Sequence, residues 1–214
     1  MTDSRSILAQ APVVPVLAIA DVAQAIPLAE ALLSGGIPVL EVTLRTPAGL
    51  AAIRAIREAV PQAIVGAGTV LNARDFDAAV AAGSRFIVTP GLTDGILEAA
   101  KHSDVPLIPG VATASELMRA LDAGIDCLKF FPAETSGGAA ALKAFAGPFP
   151  NVAFCPTGGI GLHNIDEYLA LTSVITVGGS WLTPPKLLAA NDWIGITGLA
   201  RAAVAHLSAF RASP

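Results

Sequence analysis

Apolar and polar positions along this chain follow two alternating periods. Short β-branched runs, the pattern of strands, recur at 13–19, 39–44, 64–67, 86–89, 105–108, 127–131, 152–155 and 174–177. Between them lie Ala- and Leu-rich segments whose apolar residues return every three or four positions, as in amphipathic helices. The punctuation agrees with this division. Asp21 opens the first helix as an N-cap, Leu28, Leu32 and Leu33 give it a buried stripe, and Gly35-Gly36 closes it. Thr46-Pro47 supplies an N-cap and a first-turn proline ahead of a helix ending at Ala59. A helix over 73–82 stops at Gly83, the next follows Thr93, and Thr113 with Glu116 spells a capping box. Two more helices end at Phe145 and Leu171, and the last, over 194–210, follows the bend at Thr183-Pro184-Pro185.

Eight β-α units with no linker, composition break or low-complexity tract predict one α/β domain over 1–214, a compact (β/α)8 TIM barrel. The competing fold is a doubly wound open sheet. It would show fewer strands and a Gly-rich first turn, where this chain has Ala18-Ile19-Ala20.

Composition narrows the setting. The chain is 53% hydrophobic and only 14% charged, against about 25% charged in average soluble proteins, so part of its apolar surface is expected between subunits. A net charge of -4 argues against nucleic acid or an anionic membrane as partner. No apolar run is read as long enough to span a bilayer. The first ten residues hold Asp3 and Arg5 without the apolar core of a signal peptide, and the expected location is the cytoplasm. Two cysteines, Cys127 and Cys155, both in predicted strands, make no disulfide framework and read as buried thiols.

Chemistry concentrates at strand ends, where this fold keeps its active sites. Lys129 is the only charge in the apolar run Cys127-Leu128-Lys129-Phe130-Phe131-Pro132-Ala133. Burying an ammonium there is costly, and the same cost favours the neutral amine that attacks carbonyls. Taken alone, the run favours a strand-end lysine that snorkels to water, and the placement of the other polar residues reverses that preference. On the second strand Glu41, Thr43 and Arg45 alternate with Leu40, Val42 and Leu44, which puts the polar three on the face turned into the barrel. Cys127, Lys129 and Phe131 share the equivalent face of the sixth strand. Glu41 and Lys129 then form a candidate general base and nucleophile, or a buried ion pair joining two strands. Arg45 suits a substrate carboxylate, or neutralises Glu41.

Two glycine-rich turns, Thr157-Gly158-Gly159-Ile160-Gly161 and Gly178-Gly179-Ser180, follow the seventh and eighth strands, where barrels commonly bind phosphate. No metal is expected. His102, His163 and His206 are scattered, lie outside the predicted strands and share no ligand spacing, which suits surface or capping roles. Trp181 and Trp193 are expected to pack the C-terminal segment on the barrel.

At these residues the sequence resembles the 2-keto-3-deoxy-6-phosphogluconate aldolase family, Schiff-base enzymes of the Entner-Doudoroff pathway that need no metal or other cofactor. The matching stretches are Val39-Leu40-Glu41-Val42-Thr43-Leu44-Arg45-Thr46, Ile64-Val65-Gly66-Ala67-Gly68-Thr69-Val70-Leu71-Asn72 and Thr89-Pro90-Gly91-Leu92. They continue through Pro106-Leu107-Ile108-Pro109-Gly110, Lys129-Phe130-Phe131-Pro132-Ala133-Glu134, Phe154-Cys155-Pro156-Thr157-Gly158-Gly159-Ile160 and Gly178-Gly179-Ser180-Trp181. The resemblance implies that Lys129 forms an imine with the keto carbon of pyruvate and that Glu41 shuttles protons. It implies that Arg45 and Thr69 hold the pyruvate carboxylate, that Pro90 and Phe131 wall the pocket, and that Thr157 lies beside the substrate chain. Gly158, Gly159, Gly179 and Ser180 would receive the phosphate, and the assembly would be a homotrimer. One departure is at Leu17-Ala18-Ile19, where some relatives carry a basic residue. Against this reading stand a phosphate-binding barrel isomerase or synthase, which has no use for Lys129, and a non-catalytic sugar-phosphate sensor.

Overall fold

In the computed structural model, which describes residues 3–212, every strand pairing is parallel. The strands are β1 (Val14–Leu17), β2 (Val39–Thr43), β3 (Ile64–Gly68), β4 (Ile87–Val88), β5 (Leu107–Ile108), β6 (Gly110–Val111), β7 (Cys127–Phe130), β8 (Ala153–Pro156) and β9 (Gly178–Gly179). Six pair in the order β5-β4-β3-β2-β1-β9 and three in the order β6-β7-β8. Two seams join these arcs. Single parallel bridges connect Phe154 to Val174 and Thr157 to Gly178 on one side. On the other, only Pro109 separates β5 from β6. The result is a curled, closed (β/α)8 barrel.

The fifth predicted strand, 105–108, is therefore corrected to two short pieces that change partner at Pro109. A proline has no N–H to continue the ladder, and its carbonyl instead accepts from the Lys129 amide at 2.9 Å. The eighth, at 174–177, is likewise reduced. Its residues divide their bonds between neighbours, Ile175 N to Phe154 O at 3.0 Å and Val14 N to Val177 O at 2.9 Å, and the regular pairing begins only at β9.

Strand parity sorts the core into two layers. Val14, Val39, Ile64, Phe86, Val88, Ile108, Cys127, Ala153 and Cys155 pack together inside the barrel. Leu17, Leu40, Val42, Val65, Leu128, Phe130 and Phe154 face outward under the helices. An unforeseen helix, α1 (Ser4–Leu8), joins the inner layer. Asp3 accepts from the Ser6 amide as its N-cap, and Ile7 and Leu8 are buried among the strand residues, closing the end of the barrel where the strands begin.

The outer helices are α2 (Ala25–Ser34), α3 (Gly49–Ala59), α4 (Ala73–Ala81), α5 (Asp94–Lys101), α6 (Ala114–Asp122), α7 (Gly138–Phe145), α8 (Ile165–Leu169), α9 (Pro185–Ala189) and α10 (Trp193–Ala212). Thr93 caps α5, and the capping box of Thr113 and Glu116 is formed at α6. Asp21 caps a single 3-10 turn, Val22–Gln24, that leads into α2. Thr46 is not the cap of α3. Its hydroxyl donates to the Ile19 carbonyl, tying the loop after β2 to the loop after β1, and the helix starts at Gly49 with Ala48 as its cap.

α10 corrects a further expectation, because 193–210 has the length and mean hydropathy, 1.2, of a membrane-crossing helix. In the fold its stripe of Ile196, Ala200, Ala203 and Leu207 is committed to the core layer that also holds Leu28 and Leu32 of α2. Both cysteines are free and buried, as expected.

Candidate active site

Glu41 and Lys129 face each other across the barrel interior. Lys129 Nζ lies 3.0 Å from Glu41 Oε1 and 3.4 Å from Oε2. The residues are 6% and 2% exposed, so the pair is screened from water. β2 and β7 each place the charged residue third, on the face that also carries Val39 and Cys127, and this parity brings the two side chains together. Lys129 thus ends on Glu41 inside the barrel rather than in bulk water, and the snorkelling alternative is set aside.

The site needs a vacancy that the sequence pattern did not reveal. A Cβ on Gly68 would stand 2.2 Å from Glu41 Oε1 and 2.6 Å from its Cγ. β2 and β3 pair with Thr43 opposite Gly68, so only a residue without a side chain leaves the carboxylate its place. The signal was the small-residue strand end Gly66-Ala67-Gly68, but the requirement comes from the neighbouring strand. Thr69, the next residue, is half-buried with φ at +57°. A β-branched residue rarely adopts this left-handed conformation, which costs about 1–3 kcal/mol and clusters at functional sites.

The remaining predicted residues surround this pair to different degrees. The Phe131 ring lies 5.3 Å from Lys129 Nζ, close enough for a cation-π contact. Pro90 reaches the site through its backbone: a Cβ on Gly110, the residue opposite Lys129, would be 2.4 Å from the Pro90 carbonyl. Arg45 is exposed beyond the end of β2, and among the described residues no group pairs with its guanidinium. Glu41 is thus neutralised by Lys129, and the suggestion that Arg45 does so is corrected. The strand ends at Thr43, whose hydroxyl donates to the Leu17 carbonyl at 2.8 Å, and alternation no longer governs the residues after it.

Thr157 is buried one residue past β8, its hydroxyl donating to the Cys155 carbonyl at 3.4 Å. Its bridge to Gly178 holds the two glycine turns side by side at the same end of the barrel. Gly158 and Gly159 have φ of +106° and +80°, and successive residues of this kind turn amides toward a common point. Among the described residues nothing accepts from the amides of Gly158, Gly159 or Ser180. Gly179 is buried beneath Trp181, whose ring would meet a Cβ at 1.8 Å. Trp181 and Trp193 both pack against the outer core layer, as expected.

His163 lies beside Gly161 of the glycine turn, where a Cβ would be 3.1 Å from its Nδ1, and the other two histidines stay apart from this centre. His102 ends α5 beside Glu98 at 3.2 Å, and His206 on α10 meets Asp166 at 2.7 Å. Among the described residues no three metal-ligating side chains are gathered.

Comparison with known proteins gives a concordant result. The profile of the KDPG and KHG aldolase family matches residues 4–199. The 2-dehydro-3-deoxy-phosphogluconate aldolase of Pseudoalteromonas atlantica is 54% identical over 202 residues, covering 94% of each chain. The KHG/KDPG aldolase of Escherichia coli is 54% identical over 203 residues, covering 95% of each. Among solved structures, the KDPG aldolase from Legionella pneumophila, with pyruvate captured at low pH as a covalent carbinolamine, superposes with a TM-score of 0.91. It is 48% identical, and the match covers 93% of this chain and 97% of that one.

Proposed function

From the premise that the chain belongs to the KDPG and KHG aldolase family, we propose how its own residues run the reaction. The protein is an aldehyde-lyase of the Schiff-base class. It cleaves 2-dehydro-3-deoxy-6-phosphogluconate to pyruvate and D-glyceraldehyde 3-phosphate, and 4-hydroxy-2-oxoglutarate is its second candidate substrate. The observation that carries the residue assignment is the buried contact of Lys129 with Glu41 at 3.0 Å.

Lys129 is the nucleophile. Its ammonium passes a proton to Glu41, and the neutral amine adds to the C2 keto carbon to give a carbinolamine. Glu41 returns a proton to the departing hydroxyl, water leaves, and a protonated imine remains. Glu41 then removes the proton of the C4 hydroxyl. The C3–C4 bond breaks, its electron pair moving into the imine to form an enamine, and the aldehyde departs. Protonation at C3 and hydrolysis of the imine release pyruvate and restore Lys129.

Arg45, an unpaired guanidinium beside the mouth, and Thr69 receive the pyruvate carboxylate. Phe131 and Pro90 wall the pocket, and Thr157 lies along the substrate chain. The free amides of Gly158, Gly159 and Ser180, with Gly179 beside them in β9, take the phosphate. The 214 residues act as one barrel domain, in the cytoplasm, as a homotrimer whose subunit contacts cover apolar surface. Neither the site geometry nor the relatives support an isomerase or a silent sensor, since neither needs an amine and a carboxylate in contact.

Borohydride reduction in the presence of pyruvate, followed by peptide mass mapping, tests this directly. One reduced-pyruvate adduct is expected, on Lys129, and it disappears in Lys129→Ala. An adduct elsewhere, or none on folded protein, refutes the assignment.

A further inference from the structure

Three residues outside the assigned site converge on the turn after β8. Asn164 uses both ends of its amide there. Its Oδ1 accepts from the Gly161 amide at 2.9 Å, and its Nδ2 donates to the Gly159 carbonyl at 3.1 Å. On the other side, the Glu134 amide donates to the Gly158 carbonyl at 3.1 Å. The stem of Glu134 also lies against Gly159, where a Cβ would stand 2.5 Å from its Cγ. The Glu134 carboxylate accepts from the hydroxyl of Tyr168, which is fully buried at the foot of α8.

The pattern of these bonds is selective. The carbonyls of Gly158 and Gly159 are both occupied, while their amides donate to nothing among the described residues. A turn whose oxygens are tied off and whose nitrogens stay free is prepared for an anion. Glu134 would be a poor neighbour for that anion, but Tyr168 holds its charge in a hydrogen bond. Asn164 is suited to its place because one planar group must accept and donate at once. Asp has no donor there and Ala has neither group.

We infer that Asn164, together with the Glu134–Tyr168 pair, positions the Gly158 and Gly159 amides and so sets the preference for phosphorylated over unphosphorylated keto-acids. This rests on the reading of the glycine turns as the phosphate site. None of the three residues touches the reacting atoms; they are positioning residues.

The test compares 2-dehydro-3-deoxy-6-phosphogluconate with the same acid lacking its phosphate. In Asn164→Ala the ratio of kcat/KM for the two acids is expected to fall about tenfold or more, as misplaced contacts commonly do. The loss should reside in KM for the phosphorylated acid, with kcat changing less. Pyruvate trapping at Lys129 verifies that the variant is folded, and Tyr168→Phe is the second variant should it not be. An unchanged ratio, or equal losses for both acids, overturns the inference. Ser180→Asp separates the two readings, because it puts a charge into the cradle itself. If it too leaves the wild-type preference intact, the phosphate site is misassigned. If it abolishes the preference while Asn164→Ala and Tyr168→Phe do not, only the positioning role fails.

Discussion

At the residue scale the site depends on one absent side chain as much as on two charged ones. Gly68→Ala puts a methyl group 2.2 Å from Glu41 Oε1, and the carboxylate has to move from its place beside Lys129. Because a displacement of about 1 Å can cost about a hundredfold in rate, kcat in this variant is expected to fall by that order. Pyruvate trapping at Lys129, which also needs proton transfer, should slow in parallel. Steady-state kinetics and timed borohydride quenching check both. A Gly68→Ala enzyme with normal kcat would show that Glu41 works from another position. Alternation alone put Glu41, Thr43, Lys129 and Cys127 on the inward face, because a strand leaves a side chain no other choice. It did not extend to Arg45, which lies past the last ladder bond, nor to Gly68, whose emptiness matters only once β2 lies beside it.

At the scale of the element, cap chemistry separates what was legible from what was not. Thr113 and Glu116 are local in sequence, and their capping box formed as the spacing required. Burial opposes the charge on Glu116, yet the Ala112 amide, the Thr113 hydroxyl and the Thr113 amide outweigh it and hold the carboxyl below its usual 4.5. A depressed native value means stability present above pH 4.5 and lost as pH falls through that lower value. Thr113→Ala is expected to destabilise by about 1 kcal/mol at neutral pH, and the gap from wild type should narrow in acid. Urea unfolding at both pH values measures it. Thr46 had the same local credentials, but its hydroxyl found the Ile19 carbonyl, a partner distant in sequence. The breaks in the fifth and eighth predicted strands have the same origin, since residues 109 and 174–177 divide their bonds between two neighbours in the barrel.

At the scale of the whole molecule, the two core layers have different tasks. The inner layer keeps Cys127 and Cys155 from ionising, burial pushing each thiol up to about 12 from 9.0. Native protein is expected to resist iodoacetamide at mildly alkaline pH and to take up two equivalents once unfolded, as mass spectrometry would show. Stability should also decline above pH 9.0, where the unfolded thiols ionise and the buried ones stay neutral. Early labelling of either thiol in folded protein would contradict the packing described.

The helix α1 gives the inner layer its floor. Ile7 and Leu8 meet the strands where those begin, whereas Glu41, Lys129 and the glycine turns lie toward where they end. Fold reinforcement and chemistry therefore occupy opposite poles of one barrel. A laboratory lineage selected for new aldehydes can exchange residues around the mouth while its tolerance for such changes is raised from the floor, with neither set of substitutions touching the other.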